Sequence, residues 1–412
     1  MTHNASATSV GGGPGAAMST TDRPGTVTGT AQTGVRLLGV DLARGLAVLG
    51  MYAAHVGPDP ASGGVLGFTM ELTHGRSSAL FAFLAGFSII LIVGRRTPKT
   101  GRSGRQAVVK VLVRAAILLA LGTALTALGT DVEVILAYYG LFFLLALPLY
   151  RLRATTLAAI AAISAIVLPQ LWFRVINADP RWFDTINRFD PLAWASGRGE
   201  PLDAPGGLVG LLFTGSYPAL SWLPFVVAGM AVARLDLSAR LIRRRVLTTG
   251  IALAVLGYAG SALALRLVPG TVPSTGILDA PWWSDLAPEQ PGWRHQLVAV
   301  PHSETTLSVL ANTGVAMVVS IACLIACDRF HTFRRITAPL IAAGSMSLTA
   351  YVFHIAVIAV IGFHTLPADS LPALLGLSAF VLLFAFCWSR LFRRGPLEWL
   401  LHRATLVAER VR

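Results

Sequence analysis

"RLLGVDLARGLAVLGMYAAHVG", residues 36–57, decides how the chain must be read. About 20 apolar residues cross a bilayer, and this stretch is long and apolar enough, yet it carries Asp41, Arg44 and His55. An acid or a guanidinium at the centre of a membrane helix costs roughly 2.5 to 3.5 kcal/mol on insertion scales. Residues kept at that cost point to function. On a helical wheel Arg44 lies about 60° from Asp41, and His55 about 40° from Asp41 and about 20° from Arg44, so the three share one face. His55 stands roughly 16 Å beyond Arg44 along the axis. A polar stripe therefore runs most of the depth of the helix. Asp41 and Arg44, three residues apart, are spaced to pair. Two readings of that pair stay open: a structural tie or a snorkelling Arg, or an Arg44 that receives a phosphate while Asp41 fixes its fork.

The rest of the chain agrees with a membrane setting. Of 412 residues, 54% are hydrophobic and only 13% charged, with a mean hydropathy of +0.66. Too little polar surface remains to cover a soluble domain. Cys323, Cys327 and Cys387 all lie in apolar runs and are odd in number, which argues against a disulfide framework or a metal site and reads them as small core residues. Residues 1–35, rich in Gly, Ala, Ser and Thr, lack the apolar bulk to repay ordering and read as a disordered tail. The first apolar segment reads as a retained anchor.

Ten segments meet the length of a bilayer span, at roughly 37–57, 76–94, 107–128, 132–150, 154–175, 208–234, 246–268, 305–327, 338–361 and 371–392. The sixth is long enough to be a re-entrant piece plus a helix broken near "GSYP", which makes eleven. Every second connection is basic: Arg95, Arg96, Lys99, Arg102 and Arg105 after the second span, Arg240 to Arg245 after the sixth, Arg329, Arg334 and Arg335 after the eighth. Lys and Arg concentrate in cytoplasmic loops. The expected fold is thus an all-α polytopic membrane bundle of ten or eleven helices with both termini cytoplasmic. Its organisation is a tail over 1–35, a membrane domain over 36–395 and a basic tail over 396–412. The net charge of +13 follows from this asymmetry and from attraction to anionic lipid, and gives no support to nucleic-acid binding.

Several polar groups gather at helix ends. "ELTHGRSS" puts Glu71, His74, Arg76, Ser77 and Ser78 at the exterior mouth of the second span, where an imidazole beside a carboxylate suits general base chemistry or acyl carriage. A surface His at a helix start is the plainer alternative. In "GSMSLTAYVFH", Tyr351 and His354 sit three apart inside the ninth span, so that face must turn into the bundle. "PHSETT" brings His302, Ser303 and Glu304 to the start of the eighth, a weak signal on its own. Two long exterior connections, about 176–207 and 269–304, are rich in Trp, Pro and Asp and read as lids or as an aromatic belt. No GxxxxGK[ST], GxGxxG, HExxH or CxxC occurs, and no pair of similarly broken segments of the transporter kind is evident.

"VDLARGLAVLGMYAAH", "THGRSSALFAFLAGFSI", "AYYGLFFLLALPL", "SYPALSWLPFVVAGMAVARLDL" and "SMSLTAYVFH" together resemble bacterial membrane proteins related to the catalytic domain of heparan-alpha-glucosaminide N-acetyltransferase. The SLTxYxxH piece is also similar to a motif of other integral membrane acyltransferases. The resemblance implies transfer of an acetyl or other acyl group from cytoplasmic acyl-CoA to an amine or hydroxyl of an extracytoplasmic glycan or similar acceptor. It assigns His74 as the residue that carries or relays the acyl group, with Asp41, Arg44 and His354 matching the outer motifs. On that basis His74, His55 and Glu71 are the expected catalytic group. Asp41, Arg44, Arg95 and Arg96 are expected to hold acyl-CoA, and Arg76, Tyr351, His354 and His302 to line the substrate path, without a metal. The partners to expect are the lipid bilayer of the cell membrane, a glycan or small-molecule acceptor and, as an open alternative, a second copy in a homo-oligomer. A permease for a small polar solute is the competing reading, with the polar stripe as its path.

Overall fold

The computed structural model describes residues 37–130, 132–178, 207–272, 283–284, 287–361 and 370–411. The expected tail 1–35 and most of the loop 176–207 lie outside them, and of the second aromatic connection residues 269–272, 283–284 and 287–304, with Trp283 and Trp293, are described.

All regular structure among the described residues is helical. The helices are α1 (Leu38–Val56), α2 (Gly64–Glu71), α3 (Arg76–Val93), α4 (Gly101–Thr126), α5 (Leu136–Ala146) and α6 (Ala154–Ile176). They continue as α7 (Gly207–Thr214), α8 (Ala219–Arg234) and α9 (Arg240–Leu267), then α10 (Thr306–Arg329), α11 (His331–Ile336), α12 (Ala338–Ser345), α13 (Ser347–Ile361), α14 (Leu371–Leu391) and α15 (Pro396–Thr405). The first helix is the axis of the bundle, packed against α3, α10, α12, α13 and α14. Gly344 of α12 allows this: a Cβ there would lie 1.7 Å from the Asp41 carbonyl oxygen. Around this centre α4, α6, α9 and α14 form an outer layer; the apolar stretch of α14 is only 17% buried, against 78% for that of Gly64–Val93. An apolar surface of that extent faces hydrocarbon.

Six helices are long and apolar enough to cross a membrane, or eight if each of two bent pairs counts as one span. All ten expected segments are helical, but two fall short of a span on length and composition. The segment Leu136–Arg151 is too short. In α1 the three ionisable residues depress the hydropathy, and neighbouring helices, not lipid, cover them. The break foreseen at "GSYP" separates α7 from α8 with a 67° bend. The ninth segment, expected as one helix, is bent by 86° between α12 and α13. Two broken segments are therefore present where the sequence pattern showed one.

The last residues also depart from expectation. Residues 396–410 are helix and 3-10 turn instead of a tail, and the compact unit runs unbroken over Leu37–Arg412. Leu401 is buried, α15 packs on α4 and α13, and Arg102 and Gln106 donate to the Val411 carbonyl. Cys323 and Cys327 are buried as expected, whereas Cys387 is exposed on the outer face of α14.

Candidate functional site

The axial helix carries one polar group at each end. At its start Arg44 bonds Asp41 at 3.1 Å and donates to the Ser88 hydroxyl at 2.8 Å. The guanidinium opens on a cavity of about 300 Å³, whose walls include Ser88, Arg114, Tyr139, Ser345 and Glu398. The Tyr139 hydroxyl is buried there without a hydrogen-bond partner. Glu398 reaches in from α15, accepting from the backbone amides of Leu348 (2.8 Å) and Thr349 (3.1 Å) and from the Thr349 hydroxyl (2.6 Å). It caps the start of α13, where four amides lack intrahelical partners. Arg95 and Arg96, expected to share the Arg44 site, follow the cavity-lining Ile92 but are not in its walls; Arg96 pairs with Asp236. The second guanidinium of the cavity is Arg114. Its signal in the sequence is a charge inside the apolar run "VLVRAAILLALG".

At the far end of α1 the imidazoles of His55 and His354 meet, Nδ1 to Nε2 at 3.0 Å, with rings parallel within 7°. His354 Nδ1 also bonds the Tyr351 carbonyl. A carbonyl only accepts, so Nδ1 carries the proton and the bare Nε2 accepts from His55 Nδ1. His55 Nε2 is left with its lone pair. Tyr52 backs the pair, its ring centroid 4.6 Å from that of His354 and its hydroxyl donating to the Ala350 carbonyl at 2.6 Å. Tyr351 is fixed by the Ile135 amide, which donates to its hydroxyl at 3.1 Å.

His74 and His302 lie within electrostatic reach of His55 and of each other. The His74 Nδ1 is buried with no hydrogen-bond partner. The corner that carries it depends on Gly75, whose φ is +60° and whose position would set a Cβ 2.4 Å from the Pro301 side chain. Only glycine meets both demands. His302 bonds the Ser216 carbonyl at 3.2 Å and lies beside the rings of Tyr217 and Trp222. His302 and Glu304 both hold positive φ, 55° and 59°, the kind of backbone strain that clusters at functional sites. Glu304 is buried; the Ser221 hydroxyl and the Trp222 indole (2.8 Å) donate to it. Burial outweighs those donors and pushes its carboxyl up to about 7.

Of the expected histidines, His55 and His354 meet directly, and His74 and His302 lie within electrostatic reach of His55. Glu71 is buried at the end of α2, three residues before His74. Arg76, expected on the substrate path, is engaged at every nitrogen instead: Nε to Tyr258 (2.9 Å), Nη1 to the Glu71 and His74 carbonyls, Nη2 to the Trp283 carbonyl (2.9 Å). It braces the mouth. Among the described residues no group of three His, Cys, Asp or Glu side chains is placed to hold a metal ion.

A histidine pair at one end of an axial helix, a cavity lined by Arg44, Arg114 and Glu398 at the other and an apolar outer layer define an integral membrane protein with an internal polar site. The chain belongs to the family described as heparan-alpha-glucosaminide N-acetyltransferase, catalytic, which matches residues 36–265. Residues 280–408 match a second family, described as a protein of unknown function (DUF418). No curated protein matches the chain. The site draws His55 and His74 from the first matched region and His302 and His354 from the second.

Proposed function

We propose that the protein transfers an acyl group, acetyl in the first instance, from acyl-CoA to an amine or hydroxyl of a glycan or similar acceptor across the cell membrane. The observation that carries this is the hydrogen-bond relay from the Tyr351 carbonyl through His354 to His55, which leaves a bare nitrogen on the His55 imidazole, within electrostatic reach of His74. The His74 nitrogen attacks the thioester carbonyl, the C–S bond breaks and CoA leaves as thiolate. The acceptor then attacks the acyl-imidazolium and gives its proton to His55 Nε2, restoring neutral His74. Arg44 and Arg114 hold the CoA phosphates, with Arg95 and Arg96 adding positive field at the same end. That end faces the cytoplasm in this reading, as the basic connections require, and the acceptor meets the histidines on the other side.

Inverted membrane vesicles holding the purified protein, given radiolabelled acetyl-CoA, test each part. The expected outcome is label on the protein that hydroxylamine removes, absent in His74→Ala. In His55→Ala the label forms but its discharge slows by about 10²-fold or more, the scale of a lost general base. Vesicles of the opposite orientation take no label. Absence of both label and CoA release from the wild type would overturn the proposal. The competing permease reading has one observation in its favour, the two bent helix pairs. Solute counterflow without acyl-CoA consumption would carry that reading instead.

A further inference from the structure

Outside the polar site, the outer face of α14 has a feature that acyl transfer does not use. Phe380, Phe384, Trp388 and Phe392 follow at intervals of four, and their rings meet in succession at centroid separations of 6.5, 5.4 and 4.3 Å. Phe353 of α13 stacks on the first of them at 5.2 Å. Beside this ladder, between α13 and α14, lies a cavity of about 140 Å³ walled by Phe353, Phe380, Val381 and Phe384. Thr349 is the one wall residue with a polar side chain, and Glu398 already holds its hydroxyl. Nothing in the cavity would hold a polar ligand. A hydrocarbon chain fits it, and α14 is a candidate membrane span with little of its apolar stretch buried, so bilayer lipid is the hydrocarbon at hand.

The ladder runs to Phe392, one residue past the end of α14 at Leu391, and there the surface turns basic. Arg390, Arg393, Arg394 and Arg403 are all exposed, Arg390 over the Phe386 ring and Arg403 over that of Trp399. Trp399 and Leu400, 54% and 58% exposed, project from α15, which begins five residues after the span stops. Such a helix lies at the level of the headgroups, its Trp and Arg at the depth they favour. The local acid, Glu398, points inward to its cap. An apolar groove that runs into a guanidinium cluster at the bilayer edge has the two halves of one kind of molecule as its complement.

We infer that this face binds a phospholipid with an anionic headgroup, one acyl chain in the Phe353–Phe380–Phe384 groove and the phosphate among Arg393, Arg394 and Arg403. Trp388, in the middle of the ladder, reports on it. The full chain in phosphatidylcholine nanodiscs is titrated with phosphatidylglycerol brominated at mid-chain, and the Trp388 signal is taken as wild type minus Trp388→Phe. Brominated phosphatidylglycerol quenches that signal at a mole fraction several-fold below the one that brominated phosphatidylcholine requires. Neutralising two surface guanidiniums, in R393Q/R394Q, raises the required fraction about tenfold; both side chains are exposed, so the fold is undisturbed. Phe380→Ala, also exposed, weakens quenching by both lipids. Equal quenching by the two lipids in the wild type overturns the inference, since it marks ordinary annular contact. Protection that grows with protein density and ignores headgroup charge overturns it in favour of a second copy of the chain on this face. Every readout is binding, so the result stands apart from whether acyl transfer occurs.

Discussion

The Tyr351 carbonyl has only one way to bond a neutral imidazole, as acceptor, and that single fact sets the proton positions of His354 and His55 in turn. Glu304 shows the same dependence of chemistry on surroundings. Its carboxyl, raised from 4.5 to about 7 by burial, keeps a proton in the folded state that the unfolded chain has released. The folded state therefore loses stability as pH rises from about 4.5 to about 7, by up to ~3 kcal/mol, and no further above that. Glu304→Gln keeps the shape, donates to Ser221 and accepts from Trp222 at any pH. The expected outcome is a thermal midpoint in detergent that falls for the wild type relative to Glu304→Gln across that window. Parallel curves for the two proteins would refute the buried-acid account. Residues of this kind were only half legible. Asp41, Arg44 and His55 stand out because charge in an apolar run is rare, and Arg114 shows by the same rule. Glu398 does not, because its role rests on amides fifty residues away.

Between the two broken segments the difference in legibility has a local cause. The first break, at residues 215–218, contains Gly215 and Pro218, which punctuate a helix on their own. The second turns by 86° at Met346, with no Gly or Pro between the helices. Met346 turns out of the helical conformation at φ −124° and ψ 42°, and the amides it exposes at the start of α13 are bonded by Glu398. The bend is thus a tertiary product of α15. Glu398→Ala removes the cap and costs about 1–2 kcal/mol, the range of a lost helix cap, while Glu398→Gln keeps an acceptor and loses less. Thermal unfolding of the two variants orders them this way. A Glu398→Ala protein as stable as the wild type would mean that the bend stands without its cap. Since α13 carries Tyr351 and His354, the same substitution also loosens the histidine pair from one side.

Across the whole molecule, the two matched regions are parts of one unit. The axial helix, from the first, is enclosed largely by α10, α12, α13 and α14, from the second. Without them Asp41 and His55 would face lipid, where an ionisable side chain is costly. His354 without His55 would in turn lose the partner that its bare nitrogen accepts from. Nothing in the sequence reading showed this enclosure, because periodicity gives the helices and loop lengths do not choose their neighbours. A chain cut in the connection after α9 therefore gives a specific result. The two pieces made together co-purify as one complex, because close packing of Gly344 on the Asp41 backbone and the His55–His354 bond both cross the cut. Either piece made alone is degraded or aggregates in the membrane. Gly344→Leu, which drives a side chain into the α1 backbone, abolishes co-purification of the pieces, while Leu375→Ala on the exposed face of α14 leaves it intact. A first piece that accumulates alone as a stable, monodisperse protein would show that α1 can be satisfied without the second, and would remove the ground for a composite site.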